Sequence, residues 1–188
     1  MPENDEQKIK VRIKDGIQKK SQIIKKRLNN FFEWVKGADL VSLKECNTNE
    51  DPVRPELDNE FRTSYGRKIY GVKYKNEIHA IMCFAFTNEI PRNVDELDKL
   101  SKDAFLQSAL RDQKVGKIAI AYTVWSKKKG GGKLIVKEVF KKIKKSNHLN
   151  RLVTLSPLTE MATKFHTRNG AKLLQINETT QNFEYKIL

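Results

Sequence analysis

The spacing of hydrophobic positions in this chain changes from helical to strand-like after residue 64. Within Lys8–Lys36, large apolar residues recur at spacings of four, seven, four, three and four, which places them on one face of an α-helix. These positions are Ile13, Ile17, Ile24, Leu28, Phe31 and Val35. Lysine and arginine occupy most of the other face. The pattern predicts a basic amphipathic helix, which can lie on a membrane or on a partner, and we favour packing on its own domain.

The remainder of the chain alternates strand-like with helical segments. Residues 38–64 are predicted to be irregular, because Asp51-Pro52 and Arg54-Pro55 interrupt regular structure. Strands are predicted at 68–74, 78–86, 117–125, 151–155, 171–177 and 182–188, and helices at 94–110, from the glycine loop to about 146, and at 159–169. This order indicates a three-layer α/β domain with a mixed sheet. We therefore divide the chain into an N-terminal helix with its connecting loop, 1–64, and an α/β domain, 65–188.

Composition excludes several classes of protein. The length of 188 residues, with 38% hydrophobic and 32% charged residues, suits one domain or one domain with a helical extension. No apolar run is as long as a membrane span, and the acidic, polar N-terminus is not a secretory signal. The two cysteines, Cys46 and Cys83, give neither a disulfide framework nor metal-ligand spacing. This usage favours a cytoplasmic compartment.

The net charge of +14 favours an acidic partner, such as nucleic acid, an anionic surface or a polyanionic cofactor. A solvated, lysine-rich surface accounts for the charge equally well. No zinc-finger spacing, aromatic RNA-binding signature or helix-turn-helix pair accompanies it. Nucleic-acid binding is therefore a minor hypothesis.

A glycine loop separates the strand predicted at 117–125 from the helix that follows. Glycines let the backbone approach a diphosphate closely, and the amides at a helix N-terminus then point at it. The loop lacks the Gly-Lys-Ser/Thr ending of a nucleoside-triphosphate loop and the longer glycine pattern of a dinucleotide fold. An ordinary surface turn is the alternative. The predicted phosphate-binding residues are Lys127, Gly130, Gly131, Gly132, Lys133 and Leu134.

The loop resembles the pyrophosphate-binding motif of the GNAT acyltransferase superfamily. That motif reads Arg or Gln, two residues, Gly, one residue, then Gly or Ala, and here Lys127 replaces the first residue. The segment 162–171 is similar to a second signature of the superfamily, and His166 lies where a general-acid tyrosine is often found. The resemblance implies a central, mostly antiparallel sheet with flanking helices, and a coenzyme A (CoA) thioester as substrate.

Within this superfamily, residues 66–188 resemble the malonyl-CoA decarboxylases. The matching pieces keep their order along the chain: Ile81–Pro91, Ala119–Val124, Gly132–Lys137, Val153–Pro157 and Lys164–Asn177. The resemblance implies that Ser156 and His166 match the catalytic serine and histidine of that family. Two departures stand out. The family's long insert between serine and histidine is missing, and its Pro-Gly-Phe after Ser-Pro is replaced by residues 158–160.

Decarboxylation of a malonyl thioester produces an enolate, which requires three kinds of group. Amide donors must stabilise the thioester oxygen, a role for the backbone of Tyr122, Thr123 and Val124. A hydroxyl can orient the leaving carboxylate, and we assign this role to Ser156. A group with a pKa near neutral must protonate the carbanion, which suits His166. The reaction requires neither a metal nor a covalent intermediate.

Two other functions stay open. An acetyltransferase that moves acetyl from CoA to an amine needs a general base, for which Glu89 and Glu138 are weak candidates. A non-catalytic basic module would bind nucleic acid or a partner through Lys8–Lys36 and would not bind CoA. Taken singly, Ser156 is better interpreted as a turn residue and His166 as a core histidine. Together with the loop and the resemblance they favour the decarboxylase, whereas the acyl group and the oligomeric state are not predicted.

Overall fold

The computed structural model describes residues 3–111 and 113–186, and for residues 3–15 it describes the backbone alone. The chain divides into two compact units between Ala38 and Asp39. The sequence placed this boundary at residue 64. The boundary lies earlier because strand β1 (Asp39–Leu43) pairs with strand β2 (Lys68–Tyr74), so that the segment between them belongs to the second unit.

The first unit is a single helix, α1 (Glu3–Gly37), which confirms the helical spacing. Every side chain described from residue 16 to residue 33 is exposed. This includes the apolar stripe, with Ile17 at 63% and Ile24 at 57% exposure. The sequence analysis preferred packing of the stripe on its own domain, and in the structure these side chains are exposed. No helix among the described residues is long and apolar enough to cross a membrane.

The second unit is built on a sheet that has eight strands among the described residues. The strands after β1 and β2 are β3 (Glu77–Thr87), β4 (Ile118–Ser126), β5 (Arg151–Thr154), β6 (Ser156–Pro157), β7 (Lys172–Ile176) and β8 (Thr180–Tyr185). Their spatial order is β1-β2-β3-β4-β5-β8-β6, and β7 pairs with β8. Only β4 and β5 run parallel, so the sheet is mixed and mostly antiparallel, as predicted. The last predicted strand ends at Tyr185, and residues 187 and 188 lie outside the described part.

The helices of this unit are α2 (Asn59–Thr63), α3 (Val94–Arg111), α4 (Gly131–Lys144) and α5 (Glu160–Arg168), with one 3-10 turn at Thr48–Glu50. The prediction that 38–64 is irregular missed β1 and α2. Both are short and depend on partners distant in sequence or on a cap. The strand β1 is held by pairing with β2, and α2 is a single turn whose first amides are capped by Asp58, which accepts from Phe61 N at 2.7 Å.

Strands β4 and β5 separate halfway along β4. They pair from Ile118 to Ala121, after which β5 ends and β4 continues beside β3. The pairing of β4 with β3 skips Tyr122, since Cys83 lies opposite Thr123 and Phe84 lies opposite Ala121. One extra residue in an antiparallel strand makes a bulge and bends that strand. The bend opens a notch in the sheet at the carboxyl end of β5, between two strands that run parallel.

A buried arginine bridges this notch. Arg54 donates from Nε to the carbonyl of Tyr122 at 3.0 Å and from Nη2 to the carbonyl of Leu155 at 3.2 Å. These carbonyls belong to the two diverging chains, and buried backbone carbonyls need a partner. The guanidinium therefore replaces the ladder hydrogen bonds that the separation of the strands removes.

Asp51 anchors the loop that carries this arginine. Its carboxylate pairs with Arg62 at 2.9 Å, and neither side chain is exposed to solvent. It also accepts from the hydroxyl of Thr123 at 2.8 Å and from the amides of Val53 and Arg54 at 2.9 and 3.2 Å. One buried carboxylate thus links the loop before α2 to β4.

We predict that Asp51→Asn lowers the free energy of unfolding by about 3 to 5 kcal/mol, because it leaves the buried Arg62 cation without its carboxylate. Urea unfolding at neutral pH measures this change. Glu138→Gln is the control, since its pair with Lys141 (2.7 Å) lies at the surface and contributes less than about 1 kcal/mol. Equal losses in the two variants would contradict the anchoring role.

Candidate active site

A cavity of about 310 Å³ opens at the notch. Its walls are formed by the second half of β4, the first turn of α4, β6, α5 and the loop before α2. Most of the lining side chains are apolar, and the polar ones include Ser156, His166 and Tyr185. Among the described residues no lysine or arginine contributes to the lining, and the one carboxylate is that of Glu50. The described side chains that line the cavity therefore offer hydroxyls and an imidazole but no cation.

Ser156 and His166 meet in this cavity. The Oγ atom of Ser156 lies 2.8 Å from Nε2 of His166. Ser156 begins β6, the chain turns at once into α5, and Thr159 caps that helix by accepting from Ala162 N. His166 is the seventh residue of α5, so its ring reaches back to the strand it has just left. The structure thus brings together the two residues that the sequence proposed as catalytic.

Tyr185 completes a chain of hydrogen bonds that sequence reasoning missed. Its hydroxyl lies 3.0 Å from Nδ1 of His166, and burial raises the pKa of Tyr185 well above its usual value. The phenol is therefore protonated and can donate to Nδ1. Nε2 then carries the ring proton and faces Ser156, which in turn donates to Oγ1 of Thr154 at 3.0 Å. The network assigns His166 the tautomer whose N–H points into the site.

Burial lowers the pKa of His166 to about 4. The ring is 5% exposed, it stacks on Phe183 at 5.0 Å between centroids, and its hydrogen-bond partners are uncharged. The sequence predicted a pKa near neutral for this residue, and the pKa lies lower because burial disfavours the imidazolium. A negative charge placed beside the ring would reverse this effect.

The glycine loop leads into α4 beside the cavity. Gly130 has a φ of 86°, a left-handed conformation that favours glycine. The two following glycines are required by packing. A Cβ on Gly131 would lie 2.9 Å from Cβ of Ser126, and one on Gly132 would lie 3.0 Å from the ring of Phe165. These glycines let α4 begin directly against β4 and α5.

The first turn of α4 offers two of the predicted amides to a ligand. Gly131 N–H donates to Lys128 O at 2.9 Å, and Leu134 N–H donates to Gly130 O at 3.0 Å. The remaining donors of this turn are the amides of Gly132 and Lys133. Gly132 itself lines the cavity. Of the loop amides predicted to bind phosphate, those of Gly132 and Lys133 are therefore the ones left to donate to a ligand.

The other predicted binding residues lie around the cavity in different roles. Tyr122, Thr123 and Val124 line it from β4, although the carbonyl of Tyr122 and the hydroxyl of Thr123 are engaged by Arg54 and Asp51. Lys127 extends from the end of β4, and its ammonium lies 2.7 Å from Glu50, which lines the cavity. Lys133 is exposed at the start of α4. Within the described part of the chain, no three His, Cys, Asp or Glu side chains are grouped to hold a metal ion.

Comparison with known proteins identifies the fold. The chain matches no protein-family model and no curated protein sequence. Among solved structures it is similar to the GphF GNAT-like decarboxylase in complex with isobutyryl-CoA (TM-score 0.60, 10% identity, 80% of this chain and 100% of that one). It is also similar to a Bacillus subtilis acetyltransferase in complex with CoA (TM-score 0.56, 11% identity, 80% and 99%). The chain therefore has the GNAT fold.

A malonyl-CoA decarboxylase from Cupriavidus metallidurans also matches, at a TM-score of 0.46 and 21% identity. The match covers 74% of this chain. The chain spans 36% of the length of that enzyme.

We predict that His166 makes the protein less stable in acid. Its pKa is about 4 in the folded chain against 6.5 for the unperturbed residue, so between these values the unfolded chain binds a proton that the folded chain does not. The free energy of unfolding therefore falls as the pH decreases from 6.5 to 4, by about 3 kcal/mol from this residue.

Chemical unfolding of the wild type and of His166→Gln across this pH range measures the effect. Other titrating groups act on both proteins, so the difference between the two curves isolates the histidine. A difference that stays constant with pH would contradict the lowered pKa.

Proposed function

We propose that this chain is a CoA-thioester enzyme that converts malonyl-CoA to acetyl-CoA and carbon dioxide. The observation that carries the proposal is the Ser156–His166 pair, 2.8 Å apart, in a cavity whose described lining has no cationic side chain. The GNAT fold alone does not choose the reaction, because the structural neighbours include both a decarboxylase and acetyltransferases. The choice rests on the site.

The substrate is held in two places. The diphosphate of CoA binds the amides of Gly132 and Lys133 at the positive end of the α4 dipole, with the side chains of Lys127 and Lys133 adding charge. When CoA binds, the ammonium of Lys127 leaves its surface ion pair with Glu50 and pairs with a phosphate. The pantetheine arm follows β4 past Val124, and the thioester reaches the notch. Backbone amides of Tyr122–Val124 stabilise the thioester oxygen as negative charge develops on it.

The cavity favours loss of a carboxylate. A carboxylate that enters it gives up hydration, and none of the described lining residues offers a cation to compensate. Bond cleavage releases neutral carbon dioxide and moves the charge onto the thioester enolate, where the backbone amides of β4 stabilise it, so the environment destabilises the reactant carboxylate more than the enolate.

Ser156 and His166 act at the two ends of the broken bond. The hydroxyl of Ser156 orients the carboxylate so that the bond between it and the α-carbon can break, and the bonding electrons pass into the thioester enolate. The substrate carboxylate raises the pKa of His166 and favours proton uptake by the ring. Nε2 then delivers a proton to the α-carbon. Tyr185, at Nδ1, fixes the orientation of the ring throughout.

Acetyl transfer to an amine is the second candidate. Its proposed bases do not line the cavity: Glu138 pairs with Lys141 at the surface of α4, and Glu89 is not among the lining residues. Glu50 is the only described carboxylate in the lining, and it pairs with Lys127. The geometry therefore supports decarboxylation better. A non-catalytic basic module is the third candidate and requires no CoA site at all.

We also infer that the enzyme works in the reducing environment of the cytoplasm. Both cysteines are free thiols, and Cys83 is buried. Its sulfur accepts from Nη1 of Arg62 at 3.3 Å, within the buried network that anchors the loop before α2.

We predict that purified protein releases carbon dioxide from malonyl-CoA without an amine, and that Ser156→Ala and His166→Gln each lower kcat at least about 100-fold. The chain contains a matched control. Ser146 and His148 form a second serine–histidine pair, at 2.9 Å from Oγ to Nδ1, outside this cavity. Ser146→Ala and His148→Gln should keep activity within about twofold, since they remove the same groups away from the site.

Thermal shift with CoA separates the candidate functions. In the decarboxylase, CoA stabilises the wild type and both site variants, because binding depends on the α4 amides. Release of free thiol from acetyl-CoA only when an amine is added would favour acetyl transfer. Absence of any shift with CoA, acetyl-CoA or malonyl-CoA would favour the basic module.

We predict that kcat/KM for malonyl-CoA rises as the pH is lowered from 8 toward 5. This parameter reports groups of the free enzyme, in which His166 has a pKa of about 4 and must be protonated to act as the acid. In the pH profile of kcat, the corresponding decrease toward alkaline pH should occur at a higher pH than it does for kcat/KM, because the bound carboxylate raises the pKa of the ring. A kcat/KM that increases with pH over this range would indicate a general base and contradict the assignment.

A further inference from the structure

The proposed enzyme does not use the exposed apolar stripe of α1. Ile17 and Ile24 are 63% and 57% exposed, and Leu28 and Phe31 are 50% and 44% exposed. At about 100° per residue these four side chains lie within about 60° of one another around the helix. Contiguous apolar surface of this kind on a soluble chain marks an interaction site.

We propose that α1 binds the surface of a membrane rich in anionic phospholipids. In this arrangement the helix lies in the plane of the membrane, its stripe enters the boundary between headgroups and acyl chains, and its lysines contact the headgroups. The helix does not span the bilayer. It attaches the catalytic unit to the membrane surface from one side.

The charges that border the stripe select the anionic surface. Lys20 and Arg27 flank one edge of the stripe and Lys25 flanks the other, by their positions around the helix. Glu33 is the only acidic residue between residues 16 and 37, and it lies on the opposite face. Basic residues beside an apolar face, with phenylalanine within it, characterise interfacial helices.

The same charges argue against a second copy of the chain as the occupant. If two α1 helices paired through their stripes, Lys20, Lys25 and Arg27 would occupy the positions beside the seam in both helices. Cation would then face cation, with no carboxylate to alternate with it. Nucleic acid would engage the basic residues but would leave the stripe in water. An anionic lipid surface contacts both the apolar stripe, through its acyl chains, and the basic residues, through its headgroups.

The test is cosedimentation of the full chain with large vesicles. We expect the protein to bind vesicles that contain about 30 mol% phosphatidylserine at least about tenfold more tightly than vesicles of phosphatidylcholine alone. Raising the salt concentration from about 0.1 M to about 0.5 M should weaken this binding severalfold, because salt screens the contribution of the basic residues. Equal binding to both vesicles would overturn the role of the basic residues.

Two adjacent substitutions separate the stripe from the charge. Leu28→Glu and Asn29→Glu change the net charge equally, but only the first lies in the stripe. We expect Leu28→Glu to lower affinity for the anionic vesicles at least about tenfold and Asn29→Glu less than about threefold. Equal losses would mean that charge alone drives binding and would overturn the proposal.

Two further measurements keep the test decisive. Far-UV circular dichroism shows whether Leu28→Glu keeps its helix, and if the helix is lost, Leu28→Ser replaces it as the stripe variant. Light scattering reports the oligomeric state without lipid. A dimer that Leu28→Glu dissociates, together with no binding to anionic vesicles, would assign the stripe to a second copy and overturn the proposal.

Discussion

The separation of β4 from β5 after Ala121 is the constraint on which the rest of the second unit depends. Two parallel strands that part leave unpaired backbone groups on both sides, which is costly inside a protein. The chain meets this cost with the bulge at Tyr122 and with Arg54, whose guanidinium bridges the carbonyls of Tyr122 and Leu155. The carboxylate of Asp51 accepts a hydrogen bond from the backbone amide of Arg54 and so fixes the position of that arginine. The notch that results is the cavity in which Ser156 and His166 meet.

Burial sets the protonation state of His166. In a largely apolar cavity the ring is neutral, oriented by Tyr185 on one side and by Ser156 on the other. The same burial that lowers its pKa makes it responsive to the charge of a substrate, since its hydrogen-bond partners, Ser156 and Tyr185, are uncharged. Stability in acid is lost in exchange, because a buried neutral histidine favours the folded state only while it is unprotonated. This response suits the anionic acyl group of the proposed substrate.

Local patterns in the sequence predicted the elements and the reacting pair. Alternation over 68–74 and apolar runs in β3 and β4 marked the strands, and Gly170 marked the end of α5. Ser156 and His166 are ten positions apart, and the turn between their elements brings them together. The partners of that pair carry no local signal. Tyr185 reaches His166 across 19 positions, and Arg54 reaches Leu155 across 101. Asp51 and Arg54 precede prolines and were interpreted as helix and strand breakers, although both are buried anchors of the site.

The most direct test of the account is the fate of malonyl-CoA in heavy water. If Ser156 and His166 release carbon dioxide and protonate the enolate, nuclear magnetic resonance will show acetyl-CoA whose methyl group has gained a solvent deuteron, formed without any amine. His166→Gln will lose this product while still binding CoA. Formation of free CoA and malonate, or of no product from protein that binds CoA, would contradict the account.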